Sequence, residues 1–282
     1  MPAFSAVVAF ADSFTDSGNG SARITNGTWP HLPQYFSEGR FSDGPVWVEY
    51  VAGNLSVPLY NYAVGGATTS NKLAQGFSPP DFIVPVPSID EQVEDFLSAP
   101  PAGLNVSSTA AVPLFFLWSG ANDAIFYNIT ASQVSTSLAS TVYRLRERYP
   151  TSQIVLLNYP SLDKLPASFY ASRATKTTLH TFSTTLDALL RDFADGGSDL
   201  TTYMNLVLLF DDFEYYAEPD EYGFEPLGSY GSCLVNAFGE AGPDVPIEVC
   251  EEGFGVRVWM DAYHPTTKAH SWIARVVLDA LQ

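Results

Sequence analysis

Cysteine, histidine and basic residues are scarce in this 282-residue chain, and each scarcity closes off a class of protein. Two cysteines cannot build a disulfide-rich scaffold, and without a histidine at ligand spacing they do not make a metal site. Thirteen basic residues against 31 acidic ones leave a formal charge of −18, so a phosphate backbone or an anionic membrane would be repelled rather than bound. Nucleic acid is thereby excluded as a partner. The longest apolar run, around Val112 to Trp118, falls far short of the roughly 20 residues a helix needs to span a bilayer. The amino terminus lacks the basic-then-apolar pattern of a secretory leader. No linker, repeat or low-complexity block divides the chain, so residues 1–282 read as a single domain.

Two features nevertheless point to a secreted protein whose signal peptide has been removed. Asn-x-Ser/Thr sequons begin at Asn19, Asn26, Asn54, Asn105 and Asn128, which makes these five asparagines candidates for glycosylation. Cys233 and Cys250 bracket a loop containing Gly239, Gly242, Pro243 and Pro246, where a disulfide would staple a stretch poor in regular structure. Two free buried thiols are the other reading open at this point.

Hydrophobic patterning alternates along the chain. Ser5 to Phe10, Pro58 to Val64, Val112 to Trp118, Gln153 to Asn158 and Asn205 to Phe210 read as buried strands. Ser132 to Tyr149 carries Val134, Leu138, Val142 and Leu145 at helical spacing, and Ala167 to Ala194 places Leu179, Phe182, Leu186, Leu189, Leu190 and Phe193 on one face. A last helix is expected from Pro265 or Thr266 to about Leu281. Strands alternating with helices imply an α/β fold, a five-stranded parallel sheet between two helical layers.

Such a sheet puts its ligands beyond the carboxyl ends of its strands. Ala11-Asp12-Ser13 follows the first strand, and a serine on a turn leading into a helix is either a nucleophile or an N-cap. Gly65-Gly66 follows the second, where a glycine N–H can approach an oxyanion or simply make a tight turn. Gly120-Ala121-Asn122-Asp123 follows the third and offers a side-chain amide. Near the end, His264 is the one histidine of four with a carboxylate three residues before it, Asp261, which could fix its tautomer and leave Nε2 free to take a serine proton. Jointly these segments supply a nucleophile, oxyanion donors and a base with its orienting acid.

In this order the segments resemble the SGNH hydrolases, also called GDSL esterases and lipases, which have a flavodoxin-like three-layer fold. Phe-Ala-Asp-Ser-Phe-Thr-Asp-Ser-Gly-Asn around Ser13 and Asn-Tyr-Ala-Val-Gly-Gly-Ala-Thr-Thr-Ser-Asn around Gly66 are most similar to the fungal acetylesterases of carbohydrate esterase family sixteen. The resemblance runs from Phe10 to His264. It implies Ser13 as nucleophile, Asp261 and His264 as acid and base, and Ser13, Gly66 and Asn122 as oxyanion donors. One residue departs from the pattern: Ala11 stands where the family usually has glycine.

The implied activity is removal of acetyl groups from plant cell-wall sugars, chiefly xylo-oligosaccharides, by a secreted monomer without metal or organic cofactor. Trp118, Phe126, Tyr127, Trp259 and Tyr263 are candidates to stack on sugar rings, although most are expected in the core. A lipase, phospholipase or acyltransferase of the same superfamily is the alternative. A catalytically silent carbohydrate-binding protein is the alternative of another class.

Overall fold

The computed structural model describes residues 4–78, 83–104, 112–169, 171–197, 200–239 and 244–282. Five parallel strands form its centre: β1 (Phe4–Phe10), β2 (Leu59–Asn61), β3 (Val112–Trp118), β4 (Gln153–Leu157) and β5 (Thr201–Met204). Their order is β2-β1-β3-β4-β5, with Val8 opposite both Tyr60 and Phe115 and Leu156 opposite Leu117 and Tyr203. The direction of winding therefore changes between β1 and β3, the crevice where open α/β sheets take their ligands.

Neighbouring side chains on β3 show how the sheet is covered. Phe116 meets Trp47 edge-on at 4.9 Å, whereas Phe115 packs on Phe96 at 5.5 Å and Tyr149 at 5.2 Å. Successive strand residues point to opposite faces, so Trp47 and Phe96 belong to different layers. One layer holds α1 (Trp47–Leu55); α2 (Ile89–Ser98) lies in the other with α3 (Ala131–Arg148) and α4 (Arg173–Asp195) packed in series beside it. The final helix, α5 (Thr267–Ala280), packs on α1 and is capped by the Thr266 hydroxyl, which accepts the Ala269 N–H.

The expected fifth strand, Asn205 to Phe210, is corrected: that stretch turns into a short helix, Val207–Asp212, and the strand is Thr201–Met204. Asn205 Oδ1 accepts the Val207 N–H and Asn158 Oδ1 the Leu206 N–H, ending the sheet there. An apolar run cannot by itself distinguish a strand from a buried helix, and the edge strand, Thr-Thr-Tyr-Met, is too polar to stand out. The long helix also starts later than Ala167, since two single-turn segments, Leu162–Lys164 and Pro166–Ser168, precede it.

A smaller unit caps the carboxyl end of the sheet. β6 (Leu234–Val235) and β7 (Glu248–Val249) pair antiparallel, and Cys233 and Cys250 beside them are joined in a disulfide. Leu234, Ala237, Met260 and Phe36 make a separate small core under this hairpin. Cys233 and Leu234 donate to the carbonyls of Trp259 and Met260, which ties the hairpin to the segment carrying Asp261 and His264.

Candidate active site

The turn after β1 presents Ser13. Thr15 and Asp16 both donate backbone N–H to Asp12 O at 3.0 Å, making a single turn and not the helix expected to follow the serine. Ala11 adopts a φ outside the left-handed region, so its methyl costs nothing there, and the Gln92 amide satisfies both its N–H and its carbonyl at 3.0 Å.

His264 reaches Ser13 from the opposite end of the chain. Its Nε2 lies 2.8 Å from Ser13 Oγ, and its Nδ1 lies 2.8 and 2.9 Å from the two carboxylate oxygens of Asp261. Asp261 is fully buried and also accepts the backbone N–H groups of Tyr263 and His264, which lock the carboxylate under the ring. With Nδ1–H donated to Asp261, Nε2 is the acceptor for the serine hydroxyl. The rings of Phe41, Phe238, Phe14 and Tyr263 surround the imidazole at 4.9 to 6.1 Å and shield it.

Gly66 and Asn122 line the same pocket as Ser13 and His264. Among the described residues nothing accepts the backbone N–H of Ser13 or of Gly66. Gly66 has φ +88°, and a Cβ there would fall 2.1 Å from Phe77 O, so only glycine fits. Asn122 Nδ2 donates to Ala67 O at 2.8 Å and, at a longer 3.3 Å, to Asp12 Oδ2. All five residues expected at the site are thus brought together.

Three buried carboxylates that sequence reasoning missed brace these parts. Burial pushes Asp12 up to about 6, against the pull of its hydrogen bonds from Tyr159 and Phe14. Burial likewise raises Asp123 to about 6; it accepts the N–H and hydroxyl of Thr69. Asp16 is held wholly by backbone N–H groups. A polar run directly after a buried strand was the signal available for Asp12 and Asp16.

The pocket encloses about 520 Å³. Its outer wall comes from loops without periodicity: Trp29 and His31, whose rings lie 5.4 and 6.5 Å from Phe238, together with Asn236 to Gly239, Val245 and Ile247 of the disulfide-closed hairpin. Of the candidate stacking aromatics, Phe126 and Tyr263 line it. Trp118 is buried against Phe14 and Tyr159, and Trp259 stacks on Phe210 away from the pocket. Asn19 borders a different groove, with Arg23, Asn61 and Tyr62. Asn26, Asn54 and Asn128 are exposed, and Asn105 lies outside the described residues.

Residues 7–277 match the model of the GDSL-like lipase/acylhydrolase family. The chain belongs to that family. It is similar to the thermolabile hemolysin of Vibrio parahaemolyticus, 28% identical over 97% of this chain and 63% of the relative. It is also similar to the acetylesterase of Hypocrea jecorina, 29% identical over 49% of this chain and 41% of the relative. The chain therefore spans less than two thirds of the length of either relative. Phospholipase A1 from Streptomyces albidoflavus shares the fold, with a TM-score of 0.52 at 16% identity over 98% of this chain and 99% of the other. The parallel sheet flanked by helices agrees with the fold class expected from the sequence.

Proposed function

We propose that residues 1–282 form one catalytic domain, a serine carboxylic ester hydrolase acting on acetyl esters of plant cell-wall carbohydrates, nearest to the family-sixteen acetylesterases. The observation that carries the hydrolase reading is the hydrogen-bonded series Asp261–His264–Ser13, in one pocket with the Ser13 and Gly66 N–H groups, which have no acceptor among the described residues. His264 Nε2 takes the Ser13 proton as Oγ bonds to the ester carbonyl carbon. The carbonyl oxygen becomes an oxyanion facing the N–H groups of Ser13 and Gly66 and the Asn122 amide. Collapse breaks the bond to the alcohol, which leaves with the proton from His264, and water activated by His264 then releases the acid from Ser13.

An acetyl group fills only a small part of a 520 Å³ pocket, so the sugar occupies the remainder, its ring faces against Phe126, Phe238 and Tyr263. The apolar lining also favours a second reading, in which a longer acyl chain fills that space. The disulfide and the exposed sequons support a secreted, glycosylated protein.

The deciding experiment is hydrolysis of p-nitrophenyl esters from acetate to palmitate, with Ser13→Ala alongside. A sharp preference for acetate, absent in the variant, is expected. A maximum at eight carbons or more would move the substrate to lipids, and equal rates for parent and variant would remove Ser13 from the mechanism.

A further inference from the structure

Asp16 stands three residues beyond Ser13, fully buried, and among the described residues no cation pairs with it. Its carboxylate instead accepts four backbone N–H groups. Oδ1 takes those of Gly18 and Gly20, both at 3.0 Å, and Oδ2 takes those of Ser21 at 2.7 Å and Gly65 at 3.0 Å. Three of these donors belong to the loop that carries Ser13. The fourth lies 49 residues away in the turn after β2, one position before Gly66.

The cradle is closely fitted. A Cβ at Gly20 would lie 2.6 Å from Asp16 Oδ2 and 2.2 Å from Ala63 O, so no side chain can enter there. Asp16's own N–H donates to Asp12 O, which fastens the carboxylate to the turn presenting Ser13. A Gly-Gly pair has the widest backbone freedom of any dipeptide, and its direction must be fixed from outside. On the far side of Gly66, Ala67 N–H donates to Val64 O. Gly66 is thus pinned on both flanks while its own N–H has no acceptor among the described residues.

We infer that Asp16 is a positioning residue: through Gly65 it fixes the direction of the Gly66 N–H relative to the Ser13 N–H, so that both meet one oxyanion. The inference rests on the proposed hydrolase mechanism. A displaced donor loses its advantage in the transition state and not in ground-state binding, so the effect falls on kcat.

Asp16→Asn keeps the shape but replaces one acceptor oxygen with an NH₂ facing two N–H donors. With p-nitrophenyl acetate, and rates normalised to sites titrated by a fluorophosphonate, kcat is expected to fall about 10-fold or more while KM stays within about twofold. Parent-like kcat would overturn the inference, as would a loss confined to KM. If the variant does not fold, amide hydrogen exchange on the parent decides. Gly65 N–H should be protected with or without a trifluoromethyl ketone that forms a hemiketal at the site, whereas Gly66 N–H should become protected only with it. Exchange of free-protein Gly65 at the rate of an open loop would overturn the inference. An active Ser13→Ala variant would instead overturn the hydrolase reading beneath it, so the two failures are distinguishable.

Discussion

Tyr159, two residues beyond the end of β4, donates its hydroxyl to Asp12 Oδ2 at 2.6 Å, and Asp12 immediately precedes Ser13. The same oxygen holds the Asn122 amide at 3.3 Å, so one carboxylate joins the strand-four loop to two parts of the site. A hydrogen bond to the charged form stabilises it, and Tyr159→Phe removes one. Asp12, already raised to about 6 by burial, should then titrate higher. The expected result is a several-fold lower rate at neutral pH and an acid limb of the kcat/KM profile displaced to higher pH; an unmoved limb would separate Asp12 from activity.

Asn122 must release one hydrogen bond to serve an oxyanion, and the 3.3 Å bond to Asp12 is weaker than the 2.8 Å bond to Ala67 O. Asn122→Ala should lower kcat by about 10²–10³-fold with little change in KM. Steady-state kinetics on the acetate ester, with thermal unfolding as a check on the fold, tests this.

His270 in α5 is fully buried, and neither ring nitrogen has a hydrogen-bond partner among the described residues. Burial, with a smaller contribution from His264, lowers it to about 3. Between pH 6.5 and 3 the unfolded chain binds a proton that the folded one refuses, so this residue makes stability fall as pH falls. Asp12 and Asp123 have the opposite sign: raised to about 6, they keep their protons when folded and add stability as pH drops from 6 towards 3.8. His270→Leu loses no hydrogen bond and removes only the unfavourable member. Its melting temperature should match or exceed the parent's at pH 7, by a margin that widens on acidification to pH 4.

The disulfide joins cysteines 17 positions apart and closes a loop that carries Phe238, Val245 and Ile247 of the pocket wall. Chain-entropy arguments put such a cross-link at about 3 kcal/mol. The double variant Cys233→Ser, Cys250→Ser should lose stability of that order in urea unfolding. Its selectivity along the ester series should broaden, because the wall and not the Ser13–His264 pair has been loosened.

Ser13, Gly66, Asn122, Asp261 and His264 were legible in the sequence because each follows a buried strand or precedes a capped helix, where local pattern and chemistry coincide. Their braces were not. Tyr159 and Asp12 are 147 residues apart, and Asp16 meets Gly65 across 49, contacts with no periodicity to announce them. Trp29, His31 and Phe238 come from loops, whose paths depend on the small second core around Leu234 and Met260. The edge strand was misplaced because a half-covered strand need not be apolar.

The Ser13–His264 pair spans 251 residues, the first strand's turn meeting the segment before the last helix. Until that segment docks, by Thr267 N–H on Asp43 and the Thr267 hydroxyl against Tyr50, position 13 carries an ordinary alcohol. Under the proposed mechanism, reactivity at position 13 is therefore a property of tertiary docking across 251 residues and not of the local sequence around the serine.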